Sequence, residues 1–411
     1  MILNKWLSLL LSFGSFFCLT QPILTVYNSQ NSPLPFNTIR CIAIQNNTKW
    51  FGTDNGLASF DGLNWQVYDT TNTPLLDNDI RALKVENDSV IWIGTMQGGV
   101  YRKSNNSWIN YNESNSGLHD NLVRGIEIDS LGYLWLATSE GVSMYDGQSW
   151  TLWNIANNGL LTNNITSIKT GFNNEKYIGT INGGLLYFDA LNNLTMHSIV
   201  ESGLPDNSSL AIDVDNNGQP WFATPAAGLV TDIGIGGPWE RFNMSNSPIP
   251  TNGLTCLAID QTDQRIFLGT ELFGLIIKKN NIWFTYNQDN IGLPDNYITS
   301  IAHESNQVKW IGTFNHGVIR LEENTSNSLG NYPLQRYSVY PTVINEGQTL
   351  FIQGIKSNRA SIKLINQFGE IILEDNIGED TFQLPSFFSP GMYQLIIHDN
   401  ELVHTQKLVI R

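Results

Sequence analysis

Arg40, Arg81 and Arg124 each follow an apolar residue that opens a short alternating run: Ile39-Arg40-Cys41-Ile42, Ile80-Arg81-Ala82-Leu83 and Val123-Arg124-Gly125-Ile126. A guanidinium grips a carboxylate through two parallel hydrogen bonds. Three of them at one structural position could therefore hold an acidic ligand such as a uronic-acid glycan. The competing reading is that each arginine pairs with a nearby carboxylate, Asp54 or Glu140, or with a backbone carbonyl, since buried arginine is normally paired. Thr166, Leu210, Thr255 and Thr299 fill the same position elsewhere. Glu271, Phe273, Phe314, Asn315 and His316 fall in segments that the same spacing sets beside the arginines.

Catalytic chemistry is not written in the chain. His316 has no cysteine or serine nucleophile pattern near it, and the other five histidines are scattered. Asp213-Val214-Asp215-Asn216-Asn217-Gly218 has the opening of a calcium loop but lacks its distal glutamate. It also coincides with a hairpin turn. No catalytic residue, metal ligand or cofactor is assigned.

What must position these residues is an internal repeat. Trp50-Phe51-Gly52-Thr53 returns as Trp92-Ile93-Gly94-Thr95, Trp135-Leu136-Ala137-Thr138, Tyr177-Ile178-Gly179-Thr180, Trp221-Phe222-Ala223-Thr224, Phe267-Leu268-Gly269-Thr270 and Trp310-Ile311-Gly312-Thr313. The seven copies lie 42 to 46 residues apart. A fixed period of this size marks a repeat architecture. Each copy opens with an asparagine: Asn37, Asn78, Asn121, Asn164, Asn207, Asn252 and Asn296. An alternating run, a polar turn and the aromatic-Gly-Thr strand follow. A glycine then starts a third strand, as in Gly56-Leu57 or Gly99-Val100, and an aromatic pair marks a fourth, as in Trp65 with Tyr68. Four antiparallel strands per repeat make one propeller blade.

The fold class expected is all-β: a seven-bladed propeller followed by a small immunoglobulin-like sandwich. The aromatic of the second strand should fill the gap between blades, and the glycine beside it should let the next sheet approach. The seventh repeat lacks its fourth strand. Leu24-Thr25-Val26-Tyr27, followed by Asn31-Ser32-Pro33-Leu34, matches the fourth strand and turn of the first repeat. The N-terminal segment is therefore expected to complete blade seven and remove an exposed sheet edge.

These repeats resemble two-component regulator propeller repeats over about Ile23 to Leu321. The resemblance implies the periplasmic sensor regions of Bacteroidetes hybrid histidine kinases, which detect glycans. Repeats four and five are degenerate, with Asn193-Leu194 in place of the usual tryptophan and a glycine-rich insertion over Gly234 to Gly237. The chain carries one such propeller and no kinase, so kinase activity is not expected. The repeats also resemble the propeller of streptogramin-type lyases. That family uses a histidine and acidic residues around magnesium, for which His316 with Glu271 is the nearest match.

Met1 to Thr20 reads as a secretory signal: Lys5 precedes a mostly apolar, uncharged run from Trp6 to Leu19. Gln21 is the expected mature start. The run is shorter than the ~20 residues that span a bilayer, and no later segment is apolar enough, so no transmembrane segment is expected in the mature chain. The net charge of −15 argues against nucleic acid and anionic membranes as partners. Cys41 and Cys256 occupy equivalent places in non-adjacent repeats and are expected as buried free thiols.

Glu322 onward is a polar linker. From Tyr337 new strand-like runs suggest a β-sandwich. It is similar to a type A sorting domain of the type IX secretion system. The marks are Tyr340-Pro341, the Asn366-to-Glu370 turn with Gly369, Gly391 and Tyr393 in Ser389-Pro390-Gly391-Met392-Tyr393, and the basic end Lys407 to Arg411. This resemblance implies the type IX machinery as a partner. The expected organisation is signal 1–20, propeller 21–321, linker 322–336 and sorting sandwich 337–411. The expected function is a secreted or surface-displayed binding propeller whose ligand is a glycan or another extracellular molecule. A propeller enzyme of the lyase or polysaccharide-degrading kind and a protein-interaction scaffold stand as alternatives.

Overall fold

A computed structural model describes residues 22–105, 107–232, 238–280, 282–323, 338–340, 343–353, 360–366, 370–377, 381–386, 388–399 and 402–411. The signal segment and most of the linker lie outside the described residues, as do Pro341 and Gly369.

Residues 23–322 form seven four-stranded antiparallel sheets. Blade one shows the plan: inner strand Ile39–Gln45, then Thr48–Thr53, Gly56–Phe60 and outer strand Trp65–Tyr68. The inner strands touch in sequence order, and the first also touches the seventh, so the sheets close into a ring. Blade seven contains Ile298–His303, Val308–Thr313 and Val318–Glu322. Its fourth strand is Ile23–Tyr27, antiparallel to Val318–Glu322 with Tyr27 opposite Val318 and Ile23 opposite Glu322. The N-terminal segment closes the ring as the sequence predicts.

The cores lie between blades. One cluster joins Phe51, Ala58 and Phe60 of blade one to Trp310 and Val318 of blade seven, and another joins Trp50 and Leu57 to Ile91, Ile93 and Tyr101 of blade two. Two-sided burial explains why the second strands read as continuous apolar runs. The small residue of the motif has a steric cause. A Cβ at Gly52 would lie 2.4 Å from Cys41 Sγ and 2.7 Å from Ile80 of the next blade.

The tryptophans carry a polar atom into these seams and satisfy it locally. Trp50, Trp92, Trp135, Trp221 and Trp310 donate their indole N–H to Gln45, Glu86, Asp129, Asp215 and Glu304, at the first hairpin of the same blade. Where the aromatic is Tyr177, the matching turn residue is Gly171. Asp215 of the calcium-like stretch thus serves as an indole acceptor, and it also accepts the N–H groups of Asn217 and Gln219.

The C-terminal residues form a three-stranded and a five-stranded sheet. Val339, Leu350, Ile352 and Phe382 of one share a core with Ile362, Leu364, Leu395, Ile397 and Leu408 of the other, which makes a sandwich. Val343-Ile344 pairs parallel with Val409-Ile410, and Arg411 N–H donates to Ile344 O at 2.9 Å. Among the described residues no helix is long and apolar enough to cross a membrane.

Candidate functional site at the channel mouth

Two features of the repeat build one loop face. The motif threonine ties down the turn after the second strand: Thr53 Oγ1 donates to Gly56 O at 2.7 Å, and Thr95 through Thr313 repeat the bond. The glycine that accepts it requires positive φ, 80° at Gly99 for example. The opening asparagine ties each blade to the preceding one. Asn78 Oδ1 accepts Thr70 N–H, and its backbone carbonyl accepts Gly56 N–H. In blade four the side-chain role falls to Asn163, which accepts Ile155 N–H, and not to Asn164. The Asn-Asn doublet made the register ambiguous.

The arginine position is a β-bulge. Pairing between the first two strands slips between Ile39 and Cys41, Ile80 and Ala82, Val123 and Gly125, Ile165 and Ser167, Leu254 and Cys256, and Ile298 and Ser300. The residue inside each slip is Arg40, Arg81, Arg124, Thr166, Thr255 or Thr299. A bulge re-aims its side chain. Four of these side chains hydrogen-bond to the next blade: Arg124 to Ile165 O at 3.3 Å, Thr166 to Ser209 O at 2.5 Å, Thr255 to Ile298 O at 2.5 Å, and Thr299 to Ile39 O. Blade five has Leu210 there, and its backbone N–H donates to Ala223 O.

The three arginines do not make a uniform basic arc. Arg40 forks onto Asp54, with Nε to Oδ1 at 2.5 Å and Nη2 to Oδ2 at 2.9 Å. Burial opposes the Arg40 charge, but the bond and charge of Asp54 outweigh it and raise the pKa. Arg81 meets Asp79 at 2.5 Å, two residues back across its own bulge. Arg81 Nε and Asp79 Oδ1 are buried without a hydrogen-bond partner, and burial lifts the Asp79 pKa above its ordinary value.

Arg124 differs. It donates to Asn164 Oδ1 and Ile165 O, and no carboxylate lies in ion-pair contact with it among the described residues. Burial pulls its pKa below the ordinary value; the charge of Asp120 opposes this and that of Arg81 adds to it. Of the partners that the competing reading offers, Arg124 takes a backbone carbonyl, Ile165 O, and makes no ion pair with Glu140. The Glu140 N–H caps Thr138 Oγ1 instead.

Phe314 and His316 are also partnered. Phe314 stacks on Tyr297, with centroids 4.8 Å apart, while the Arg40 guanidinium lies 5.5 Å from its ring centre. His316 Nδ1 sits 3.1 Å from Asp295 Oδ2, so the histidine pairs with Asp295 rather than with Glu271. Among the described residues no group of histidine, cysteine or acidic side chains is arranged to hold a metal.

Deeper in the channel is a feature that no motif advertised. The same inner-strand position in blades two to five carries Lys84, Glu127, Lys169 and Asp213 in alternating sign. Lys84 meets Glu127 at 2.5 Å and Lys169 meets Asp213 at 2.7 Å. Ala43, Ala258 and Ala302 occupy this position in the other three blades. Superposing the repeats position by position would have exposed the alternation. Both thiols are free as expected, but only Cys256 is buried and Cys41 is half-buried; desolvation pushes both up, Cys256 to about 12.

Among the residues singled out for sorting, the described ones lie in the sandwich. Tyr340 stacks on Phe351 at 5.2 Å. Tyr393 donates its hydroxyl to Ser389 O at 2.8 Å and meets Phe388 edge-on. Gly391 pairs with Ile410, and Lys407 with Gln394. Arg411 is exposed.

No family model matches the chain, and no curated protein matches it. Solved structures do. The chain is similar to the extracellular domain of a hybrid two-component system protein from B. thetaiotaomicron, at 17% identity and a TM-score of 0.65, covering 95% of this chain and 57% of that one. It is similar to PorZ, a bacterial surface component of the type IX secretion system of Porphyromonas gingivalis, at 16% identity and a TM-score of 0.56, covering 92% of this chain and 60% of that one. It also resembles virginiamycin B lyase from Staphylococcus aureus over 74% of this chain and all of the lyase, at 14% identity and a TM-score of 0.59. The chain spans under two thirds of the first two proteins. At these identities the likeness establishes the propeller fold.

Proposed function

We propose that this chain is an extracellular binding propeller, secreted or surface-displayed, that takes its ligand on the loop face around the channel mouth. The observation that carries the reading is the division of labour within the repeat. Tryptophan, glycine, threonine and asparagine recur because packing and loop closure need them. The residue two before the bulge and the residue after the threonine differ in every blade, and the bulge residue itself changes among arginine, threonine and leucine. That variation is what an asymmetric ligand requires, since function resides in sites carried by a fold.

Arg124 is the mouth cation best suited to a ligand carboxylate, because no acidic side chain neutralises it by contact. The ligand class follows as an acidic extracellular molecule, with a uronic-acid glycan as the leading case. Arg40 and Arg81 brace the mouth through Asp54 and Asp79. A glycan array on the purified full chain, followed by calorimetric titration, tests the reading.

The second element of the proposal is export. The extracellular and surface origins of the similar B. thetaiotaomicron and P. gingivalis structures support a location outside the cytoplasm. The terminal sandwich acts as a type IX sorting module, and the type IX machinery is its partner. A lyase activity is not favoured, because His316 pairs with Asp295 rather than with Glu271.

A further inference from the structure

The mouth has a second chemical side, opposite in character to Arg124. Between blades five and six lies a cleft of about 160 Å³ lined by Leu210, Pro225, Thr255, Glu271, Leu272 and Phe273 among others, with no lysine or arginine in its wall. Blade five lacks the polar bulge residue of the other blades, so Leu210 gives the cleft an apolar floor. Leu272 is 72% exposed and Phe273 39% exposed at its edge. Glu271 is also exposed. Its carboxylate offers about four acceptor positions to an incoming donor.

We propose that this cleft docks a peptide segment of a partner protein, one that places an apolar side chain in the cleft and a lysine or arginine against Glu271. Size and shape select a peptide over a small molecule. The cleft is below the ~300 Å³ at which ordinary small-molecule pockets begin, and it matches a single side chain. Leu272 and Phe273 carry the apolar lining out to the exposed rim, so an occupant gains most by running on across that rim. Charge selects a basic neighbour: the wall holds one carboxylate and no cation, on a chain of net charge −15. This inference stands on residues apart from Arg124 and does not depend on the acidic-ligand reading.

The test is selection from a random peptide library on the immobilised full chain, for wild type, Glu271→Lys, Leu272→Ser and Arg124→Ala. Wild type should enrich peptides with an apolar residue within two positions of lysine or arginine. Glu271→Lys should keep the apolar preference and exchange basic for acidic neighbours. Glu271→Gln should weaken the best peptide by up to about fivefold, the range of an exposed ion pair. Leu272→Ser, at an exposed position that folding tolerates, should reduce enrichment, and Arg124→Ala should leave it unchanged. The proposal is overturned if no peptides are enriched, if the consensus is indifferent to Glu271→Lys, or if peptide binding is lost in Arg124→Ala.

Discussion

Lys49 of blade one reaches Glu304 of blade seven, with Nζ 2.6 Å from Oε1, and so spans the seam where the ring closes. Lys176 to Asp129 at 3.1 Å and Lys309 to Asp260 at 2.9 Å repeat the arrangement, each from the residue before the motif aromatic to the hairpin of the preceding blade. Burial opposes the Glu304 carboxylate, but hydrogen bonds from Lys49 and Trp310 outweigh it and hold its pKa below the ordinary value. Breaking a buried pair costs about 3–5 kcal/mol because it strands a charge. Glu304 keeps about a quarter of its side chain in water, so Lys49→Ala should cost less, about 2–3 kcal/mol. Urea unfolding of Lys49→Ala, Glu304→Gln and the double variant measures the coupling. A double variant no more stable than the sum of the singles predicts would show that the two do not interact.

Ring closure also rests on Tyr27, whose ring lies 5.8 Å from Trp310 and 5.4 Å from Phe60. Truncating a buried aromatic costs about 3–5 kcal/mol. Tyr27 is partly buried, so Tyr27→Ala should cost about 2–3 kcal/mol. Deleting residues 23–30 should lower the melting temperature further, since it opens a sheet edge. Unchanged melting in the deletion would rule out closure by this strand.

Acid stability should depend on His303. Its ring lies 5.0 Å from Phe267, both ring nitrogens are buried without a partner, and burial depresses its pKa from 6.5 to about 4. The unfolded chain therefore takes up this proton first as pH falls. The contribution is fully present above pH 6.5 and is lost on the way down to about 4. The loss amounts to about 2–3 kcal/mol. Asp260, held at about 2 by Thr262 and Lys309 against burial, contributes stability above the ordinary aspartate range that disappears only as pH falls towards 2. Melting curves from pH 8 to 4 should fall more steeply for wild type than for His303→Gln. Parallel curves would remove His303 from the account.

Export provides an independent check. Deleting residues 337–411 should leave a folded propeller in the periplasm of a type IX-competent host. Normal arrival at the surface or in the medium would show that the sandwich is not the sorting signal.

The blade was legible in the sequence because its causes are local and recur. An aromatic wedge, a close approach at Gly52 and a loop-closing threonine leave the same residue types in every copy. The mouth was legible in position but not in partnership. Arg40 with Asp54 joins neighbouring elements of one blade, the pairing that the competing reading names. Arg81 with Asp79 crosses a bulge, which turns neighbours in sequence into an ion pair that alternation would not allow. Arg124 with Asn164 joins adjacent blades, and the Asn163-Asn164 doublet hid which residue was free to accept it. The ladder from Lys84 to Asp213 escaped notice because each member looks like an ordinary strand residue until the blades are superposed.

The binding site is tested most directly at Arg124. Calorimetric titration of the full chain with uronic-acid oligosaccharides, beside thermal melts of the same proteins, separates a ligand contact from a brace. A charge-assisted hydrogen bond is worth about 1.5–3 kcal/mol, and about 1.4 kcal/mol is a factor of ten. Arg124→Ala should therefore weaken binding about tenfold or more, with partial rescue by Arg124→Lys, which lacks the planar fork. Arg81→Ala should lower the melting temperature and leave the affinity in place. A folded Arg124→Ala protein that binds the oligosaccharide as tightly as wild type would contradict the account.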